Sequence, residues 1–224
     1  MHLYSYDDWV SGVYSTTEQN MLLDKQTSVV ALNGQNNPAG LRIYTPSTAD
    51  SYIDIGCLYQ YKSDSDYSNK QGCIQSLNDE TGDVSNFPYI LKSGYLTQEN
   101  NQKIIHNYIE INLSHVYQLE KVLVFIEPPE SYQDNSSMNS NLQFGFVNSL
   151  HQLEFSKSIC KININQYDPT SNMLAAALIS FNTRLVDNSV QGHIIIKNLS
   201  KFVYGRVDMS NQYNWNVLWK TVNK

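Results

Sequence analysis

The feature that most constrains the fold is a series of short runs, from Thr27 onward, that are rich in Val, Ile and Tyr. Asn, Asp, Ser, Gly or Pro bounds each run. The runs include TSVVAL, LRIYT, YIDIGCLYQY, GCIQSL, FPYIL, NYIEINL, KVLVFIE, LQFGFV, CKININ, GHIIIKN and WNVLW. β-branched and aromatic residues favour strands, and short strands at this spacing are typical of a sandwich or a barrel. The sequence therefore predicts an all-β fold of one of these two kinds.

Two runs also indicate how strands are buried. In HNYIEINL, Ile109, Ile111 and Leu113 fall on one face and Glu110 on the other, which predicts a strand with one dry face. KVLVFIE is apolar on both faces, which is typical of an inner strand that is covered twice.

Three stretches leave other structures open. Residues 1–26 differ from the rest and are interpreted as an N-terminal extension, in which Asp7 and Asp8 are candidate caps of a short helix. SNMLAAALISF is either a helix or a strand, because its alanines favour helix while its neighbours favour sheet. SHVYQLEK is a shorter helical candidate or a tight crossover. Residues 27–224 are interpreted as one sandwich-sized domain.

Composition narrows the functional classes. The net charge is −6, from 15 Lys and Arg against 21 Asp and Glu, and no face concentrates the basic residues. This argues against nucleic acid as a partner. No window reaches the ~18 apolar residues of a membrane span, so only a peripheral membrane association stays open.

The cysteines and the N-terminus suggest the compartment. Cys57, Cys73 and Cys160 show no CxxC spacing, so reduced cytoplasmic thiols are expected, although a bridge between Cys57 and Cys73 across a hairpin stays open. The N-terminus lacks a basic region followed by an apolar core, so no signal peptide is predicted.

Catalytic motifs are missing. The sequence contains no GxSxG, GxxxxGK or GxGxxG, and its five histidines form no metal-binding spacing. The set Asp54, Glu110 and His106 is the least implausible catalytic group, but no spacing requires these residues to meet. Two acidic turns, SDSD at 63–66 and NDETGD at 78–83, are interpreted as solvated rather than as calcium loops. The chain is therefore predicted not to be an enzyme.

Several stretches, in order, resemble the tellurium-resistance TerD-like family, most closely its TerA-type branch. They are YIDIGCLYQY followed by GCIQSL, then FPYILKSG, then YIEINLSHVYQLEKVLVFI, and finally MSNQYNWNVLW, and together they cover roughly residues 27–224. The resemblance implies a β-sandwich of two sheets and a non-enzymatic role in bacterial stress responses. It also implies a calcium site of carboxylates at one end of the sandwich.

The chain departs from that family at the site residues. Where the family strand has two alternate Asp residues, this chain has Tyr52 and Asp54. The matching turn after FPYILKSG carries no carboxylate before Glu99, and a family acid is replaced around Ser180 and Phe181. Calcium takes six to eight oxygen ligands, so Asp54 and Glu99 alone predict a largely degenerate site that binds calcium weakly.

The resulting expectation is a cytoplasmic binding or scaffolding protein that assembles with other tellurium-resistance or stress-system proteins and needs no cofactor. The alternative is a carbohydrate- or ligand-binding β-sandwich module of phage or cell-surface origin. The richness in tyrosine, 16 residues, and the exposed Asn/Ser loops support that alternative.

Overall fold

The computed structural model describes residues 21–24, 27–34, 37–48, 53–68, 70–76, 81–99, 102–127, 140–150, 152–164 and 173–203. Every regular element in these residues is a strand. The strands are β1 (Met21–Asp24), β2 (Thr27–Asn33), β3 (Gly40–Thr48), β4 (Asp54–Tyr61), β5 (Gln71–Ile74), β6 (Gly82–Asp83), β7 (Ile90–Glu99), β8 (Gln102–Asn112), β9 (Leu119–Glu127), β10 (Ser140–Val147), β11 (Leu153–Ile164), β12 (Met173–Val186) and β13 (Ser189–Val203).

The strands form two sheets in which every pairing is antiparallel. The seven-stranded sheet has the order β1-β2-β13-β12-β9-β4-β5, and the six-stranded sheet has the order β11-β10-β3-β8-β7-β6. The all-β, two-sheet β-sandwich that the sequence and the resemblance led us to expect is therefore confirmed.

The main core lies between the two sheets. On the six-stranded sheet it contains Ile109, Ile111 and Leu113, which confirms the alternation predicted for HNYIEINL. On the seven-stranded sheet it contains Ile55 and Cys57, among other residues. Burying these alternate side chains fixes the register, because a slip of one residue would turn the whole apolar set to the opposite face.

A second apolar cluster covers the outer face of the seven-stranded sheet. It contains Leu58, Cys73, Leu123, Phe125 and Ala175, all fully or almost fully buried. Strand β9 contributes to both clusters, so the prediction that KVLVFIE is covered on both faces is confirmed. The Phe125 ring packs directly over Gly56, where a Cβ would overlap it.

The alanine-rich stretch is a strand rather than a helix. β12 pairs with β9 on one side and with β13 on the other, and Ala175, Ala176 and Ala177 are all fully buried. Pairing on both sides and burial outweigh the modest helix propensity of alanine. The stretch predicted as a short helix or a crossover forms hydrogen-bonded turns at 113–118 and then enters β9, so the crossover interpretation is the correct one.

None of the three cysteines, all of which lie in the described residues, forms a disulfide. In the β4–β5 hairpin Cys57 lies opposite Ile74, and Cys73 lies opposite Leu58. Cys57 belongs to the main core and Cys73 to the outer cluster, so the two thiols point to opposite faces of the sheet. The bridge that the sequence left open is therefore excluded by this register.

Some expectations fall outside the described residues. These include the candidate helix after Asp7 and Asp8 and the MSNQYNWNVLW stretch. Of the proposed extension, residues 21–24 are described, and they pair with β2 as β1. In the described part of the chain, no helix has the length and apolar character needed to cross a membrane.

Candidate functional site

Asp54 begins β4 at one end of the sandwich. Its position in the strand places it on the opposite face from Ile55 and Cys57, and its side chain is 18% exposed. Its Oδ1 accepts a hydrogen bond from the Ile55 amide at 2.9 Å and lies 2.7 Å from the Lys92 ammonium. The hydroxyl of Ser76 lies at 3.4 Å from the same oxygen. The carboxylate is therefore held by three donors of the chain itself.

Lys92 reaches Asp54 from the other sheet. Its backbone lies in β7 opposite Ile109, so its side chain starts on the inner face of the six-stranded sheet, and it is only 6% exposed. Its ammonium also donates a hydrogen bond to Ser76. A buried ammonium needs a counter-charge and hydrogen-bond acceptors, and Asp54 and Ser76 supply them.

A second polar link crosses between the sheets at this end. The Asn107 side chain on β8 donates from Nδ2 to the carbonyl oxygen of Ile53, at 2.6 Å. Asn107 lies opposite Gly94, next to the inner-face position of Lys92 on the neighbouring strand. The end of β4 is thus linked to the six-stranded sheet by the Lys92–Asp54 ion pair and by the buried hydrogen bond from the Asn107 side chain.

Glu127 lies directly opposite Asp54 in the β4–β9 pair. Like charges at directly opposed positions destabilise a sheet. The ammonium of Lys92 on Asp54 counters part of that repulsion. The resemblance gave no reason to expect this second carboxylate, because it becomes a neighbour of Asp54 only through strand register.

The structure places Glu99 far from Asp54. Glu99 pairs with Gln102 at the end of the β7–β8 hairpin, seven positions beyond Lys92 along β7. At a strand rise of about 3.3 Å per residue, this separation is roughly 23 Å. The two residues expected to share a metal site are not brought together by the sheet.

The donors described around Asp54 do not fit a calcium ion. Asp54 and its cross-strand neighbour Glu127 supply two carboxylates and Ser76 supplies one hydroxyl, beside an ammonium, whereas calcium takes six to eight oxygens. Among the described side chains, no group of three or more His, Cys, Asp or Glu residues is placed to hold a metal. A calcium ion at Oδ1 of Asp54 would compete with the Lys92 ammonium for that oxygen.

The acidic turns are placed as solvated turns where they are described. Asp83 accepts hydrogen bonds from the side chain and amide of Asn86 and from the Ser85 amide, and these bonds lower the pKa of the Asp83 carboxyl. The SDSD turn is closed by Ser65, which bonds to the Lys62 carbonyl. Asp79 and Glu80 lie outside the described residues.

The catalytic set considered from the sequence is dispersed. Glu110 is almost fully buried on the outer face of β8, where Arg42 forms an ion pair with it and lies 4.2 Å from the Tyr108 ring centre. His106 lies four positions away on the same strand, which is roughly 13 Å. Asp54 lies on the other sheet. Burial raises the pKa of the Cys57 thiol far above its ordinary value, which leaves it un-ionised and a poor nucleophile.

A group of aromatic rings, here called the aromatic end, forms the other prominent feature. It lies at the opposite end of β4, where Tyr59 and Tyr61 contact rings from two loops. Its members are Tyr59, Tyr61, Tyr67, Phe87, Tyr89 and His115. The 16 tyrosines of the sequence are consistent with an aromatic surface, but only the fold shows that these particular rings lie in contact.

Comparison with known protein families and curated proteins offers no relative from which a function could be transferred to this chain. No family model matches it. No curated protein matches it either. The placement of the described side chains is therefore the basis for a functional proposal.

Proposed function

We propose that the protein is a non-enzymatic binding or scaffolding protein of the TerD-like, TerA-type kind, acting in a cytoplasmic bacterial stress response linked to tellurium resistance. The ordered motifs and the two-sheet sandwich support this proposal. The single observation that carries its non-metal character is the Lys92 ammonium, 2.7 Å from the Asp54 carboxylate.

The ion pair supports a role that does not depend on calcium. A divalent ion would stabilise this end of the sandwich by neutralising carboxylates, and Lys92 already supplies a positive charge there. A protein built in this way keeps the end ordered at any calcium concentration. We infer that it contributes a constant binding surface to an assembly, whereas calcium-dependent members would respond to the ion.

Calcium titration tests the metal half of the proposal. A site with a Kd of 1 µM would stabilise the fold by about 4 kcal/mol at 1 mM calcium, which in a chain of this size raises the melting temperature by roughly 8–16 °C. We expect no such rise and no submicromolar heat signal in calorimetry. Lys92→Met, which removes the ammonium beside Asp54, tests whether a calcium response appears once that cation is gone, and Lys161→Met, at an exposed lysine on β11, is its control. A submicromolar calcium site in the unmodified chain would overturn this half.

Assembly tests the other half. The purified chain, mixed with tellurium-resistance proteins of the same bacterium, is expected to co-elute with at least one of them in size-exclusion chromatography. The elution should be unchanged by a calcium chelator. Independent migration of all components, together with unchanged tellurite tolerance after deletion of the gene, would contradict the proposal.

A second candidate is a carbohydrate- or ligand-binding module. The convergence of rings at the aromatic end favours it, since Phe87 is 37% exposed and sugar rings stack on such surfaces. Titration with soluble oligosaccharides, followed by tyrosine fluorescence, discriminates the two candidates. Saturable binding that Phe87→Leu removes would favour the carbohydrate function.

A further inference from the structure

The outermost rings of the aromatic end form a small exposed shelf. Phe87 is 37% exposed, and its ring centre lies 4.7 Å from that of the half-buried Tyr67. Behind them, Tyr61 is fully buried, with its ring centre 5.4 Å from that of Phe87. The shelf therefore presents aromatic surface to solvent on a buried aromatic support.

The shelf already carries a cation of the chain itself. The ammonium of the exposed Lys70 lies 5.1 Å from the Phe87 ring centre and 5.5 Å from the Tyr67 ring centre. A cation within about 6 Å of an aromatic ring centre is attracted by the negative charge of the ring face. One lysine ammonium therefore lies within cation–π distance of both rings of the shelf.

The neighbouring charges act in the same direction. Asp64 and Asp66 are exposed in the turn that carries Tyr67. Behind the shelf, the hydrogen bond with Tyr67 is the main cause that raises the pKa of Tyr89, and the charge of Asp66 adds a smaller contribution. The other basic residue of this turn, Lys62, donates to the carbonyl oxygens of Tyr117 and Thr183 and is thus directed away from solvent.

The support of the shelf is fixed before any ligand arrives. The Tyr61 hydroxyl donates to the Pro88 carbonyl, and the Tyr67 and Tyr89 hydroxyls lie 3.1 Å apart in a hydrogen bond. The Tyr89 ring stacks on His115 with ring centres 3.7 Å apart. A rigid surface loses little conformational entropy on binding, which favours recognition by few contacts.

We propose that the shelf of Tyr67 and Phe87 binds a basic side chain, a guanidinium or an ammonium, from an exposed segment of a partner protein. Lys70 is the tethered occupant, which the partner's cation displaces. Asp64 and Asp66 attract the basic segment, in keeping with the net charge of −6. The inference stands on this surface alone and holds whether or not the proposed stress role does.

The probe for this site is the peptide acetyl-Gly-Arg-Gly-amide, with the citrulline peptide as its uncharged equivalent. Ring-proton shifts of Phe87 and Tyr67 in nuclear magnetic resonance report binding. Lys70→Ala should bind the arginine peptide about two- to fivefold more tightly, because the competing ammonium is gone. Lys161→Ala, which removes an equally charged exposed lysine elsewhere, should bind like the unmodified chain.

Two further variants separate the shelf from the fold. In Phe87→Leu, the arginine peptide should no longer shift the Tyr67 ring protons, and in Tyr67→Leu it should no longer shift those of Phe87. Thermal melting of each variant checks that it is folded. Lys70→Ala changes no ring and keeps the backbone bond from its amide to the Tyr67 carbonyl, so its result does not depend on either variant folding.

The outcomes are decisive in both directions. Tighter arginine binding by Lys70→Ala, together with weak citrulline binding, supports a cation site. Equal binding of the two peptides, or unchanged affinity in Lys70→Ala, overturns it. Shifts produced by an oligosaccharide and not by the arginine peptide would also overturn it and would assign the shelf to sugars.

Discussion

Replacing Lys92 with Met would remove the ammonium that holds Asp54. At a separation of 2.7 Å and an effective dielectric constant of about 20, the gross attraction between the two charges is about 6 kcal/mol. Desolvation of the two ions cancels much of this attraction, so the intact pair contributes little net stability. Removing one partner is different, because the desolvation of the other remains.

The expected cost follows from what remains around Asp54. Breaking a buried ion pair typically costs about 3–5 kcal/mol. Asp54 keeps the Ile55 amide and is 18% exposed, so we take the lower end, about 3 kcal/mol. In a chain of this size that corresponds to a fall in melting temperature of roughly 6–12 °C.

Urea unfolding at pH 7 measures this loss, with far-ultraviolet circular dichroism of the strands and near-ultraviolet circular dichroism of the buried tyrosines as independent probes. Asp54→Asn alone should also be destabilising, because it leaves the Lys92 ammonium buried without its counter-charge. The double variant should recover most of the loss, which gives a favourable coupling energy of about 2 kcal/mol or more. A Lys92→Met protein within about 0.5 kcal/mol of the unmodified chain, or additive single effects, would refute this reasoning.

Three further predictions concern other groups. Arg42→Lys should cost about 1–3 kcal/mol in urea unfolding, because lysine cannot reproduce both the two-nitrogen contact with Glu110 and the stacking on Tyr108; a neutral result would contradict it. Burial raises the pKa of Cys160 to about 11, so the thiol ionises at lower pH in the unfolded chain than in the folded one. The free energy of unfolding should therefore fall between pH 9 and about 11. Thermal melts of Cys160→Ser should show a smaller decline over this range. Burial lowers the pKa of His115, so the unfolded chain binds the proton at a higher pH than the folded chain, and the free energy of unfolding should fall as the pH drops below 6.5. His115→Phe should make this fall with pH less steep, and an unchanged pH dependence would contradict the role given to His115.

The fold was largely predictable because the information on strands is local. The period-two alternation around Ile109 and the doubly apolar run of β9 each require only a few neighbouring residues. The alanine-rich run could not be assigned in this way. Its state is decided by β9 and β13 on either side, and local propensity is too weak to outweigh such pairing.

The candidate site was less predictable because its partners are remote in sequence. Asp54 stands out in its strand, and the resemblance suggested that it matters, but no local pattern connects it to Lys92 on the opposite sheet. Likewise, Arg42 meets Glu110 only through the β3–β8 register, 68 positions apart. Sequence composition indicates that charges and aromatic rings exist, whereas topology decides which of them meet.

The ion pair between β4 and β7 also bears on how the two layers are aligned. Apolar side chains attract one another without a preferred direction. Apolar contact alone therefore specifies the relative position of the two sheets less strongly than a directional polar contact does. The Lys92 ammonium and the Asp54 carboxylate lie 2.7 Å apart. A shift of the sheets by one residue, about 3.3 Å, would weaken this contact and leave a buried ammonium without its counter-charge. The Lys92–Asp54 ion pair, together with the Asn107–Ile53 hydrogen bond, therefore adds a directional contribution to the alignment of the two sheets that apolar burial alone lacks.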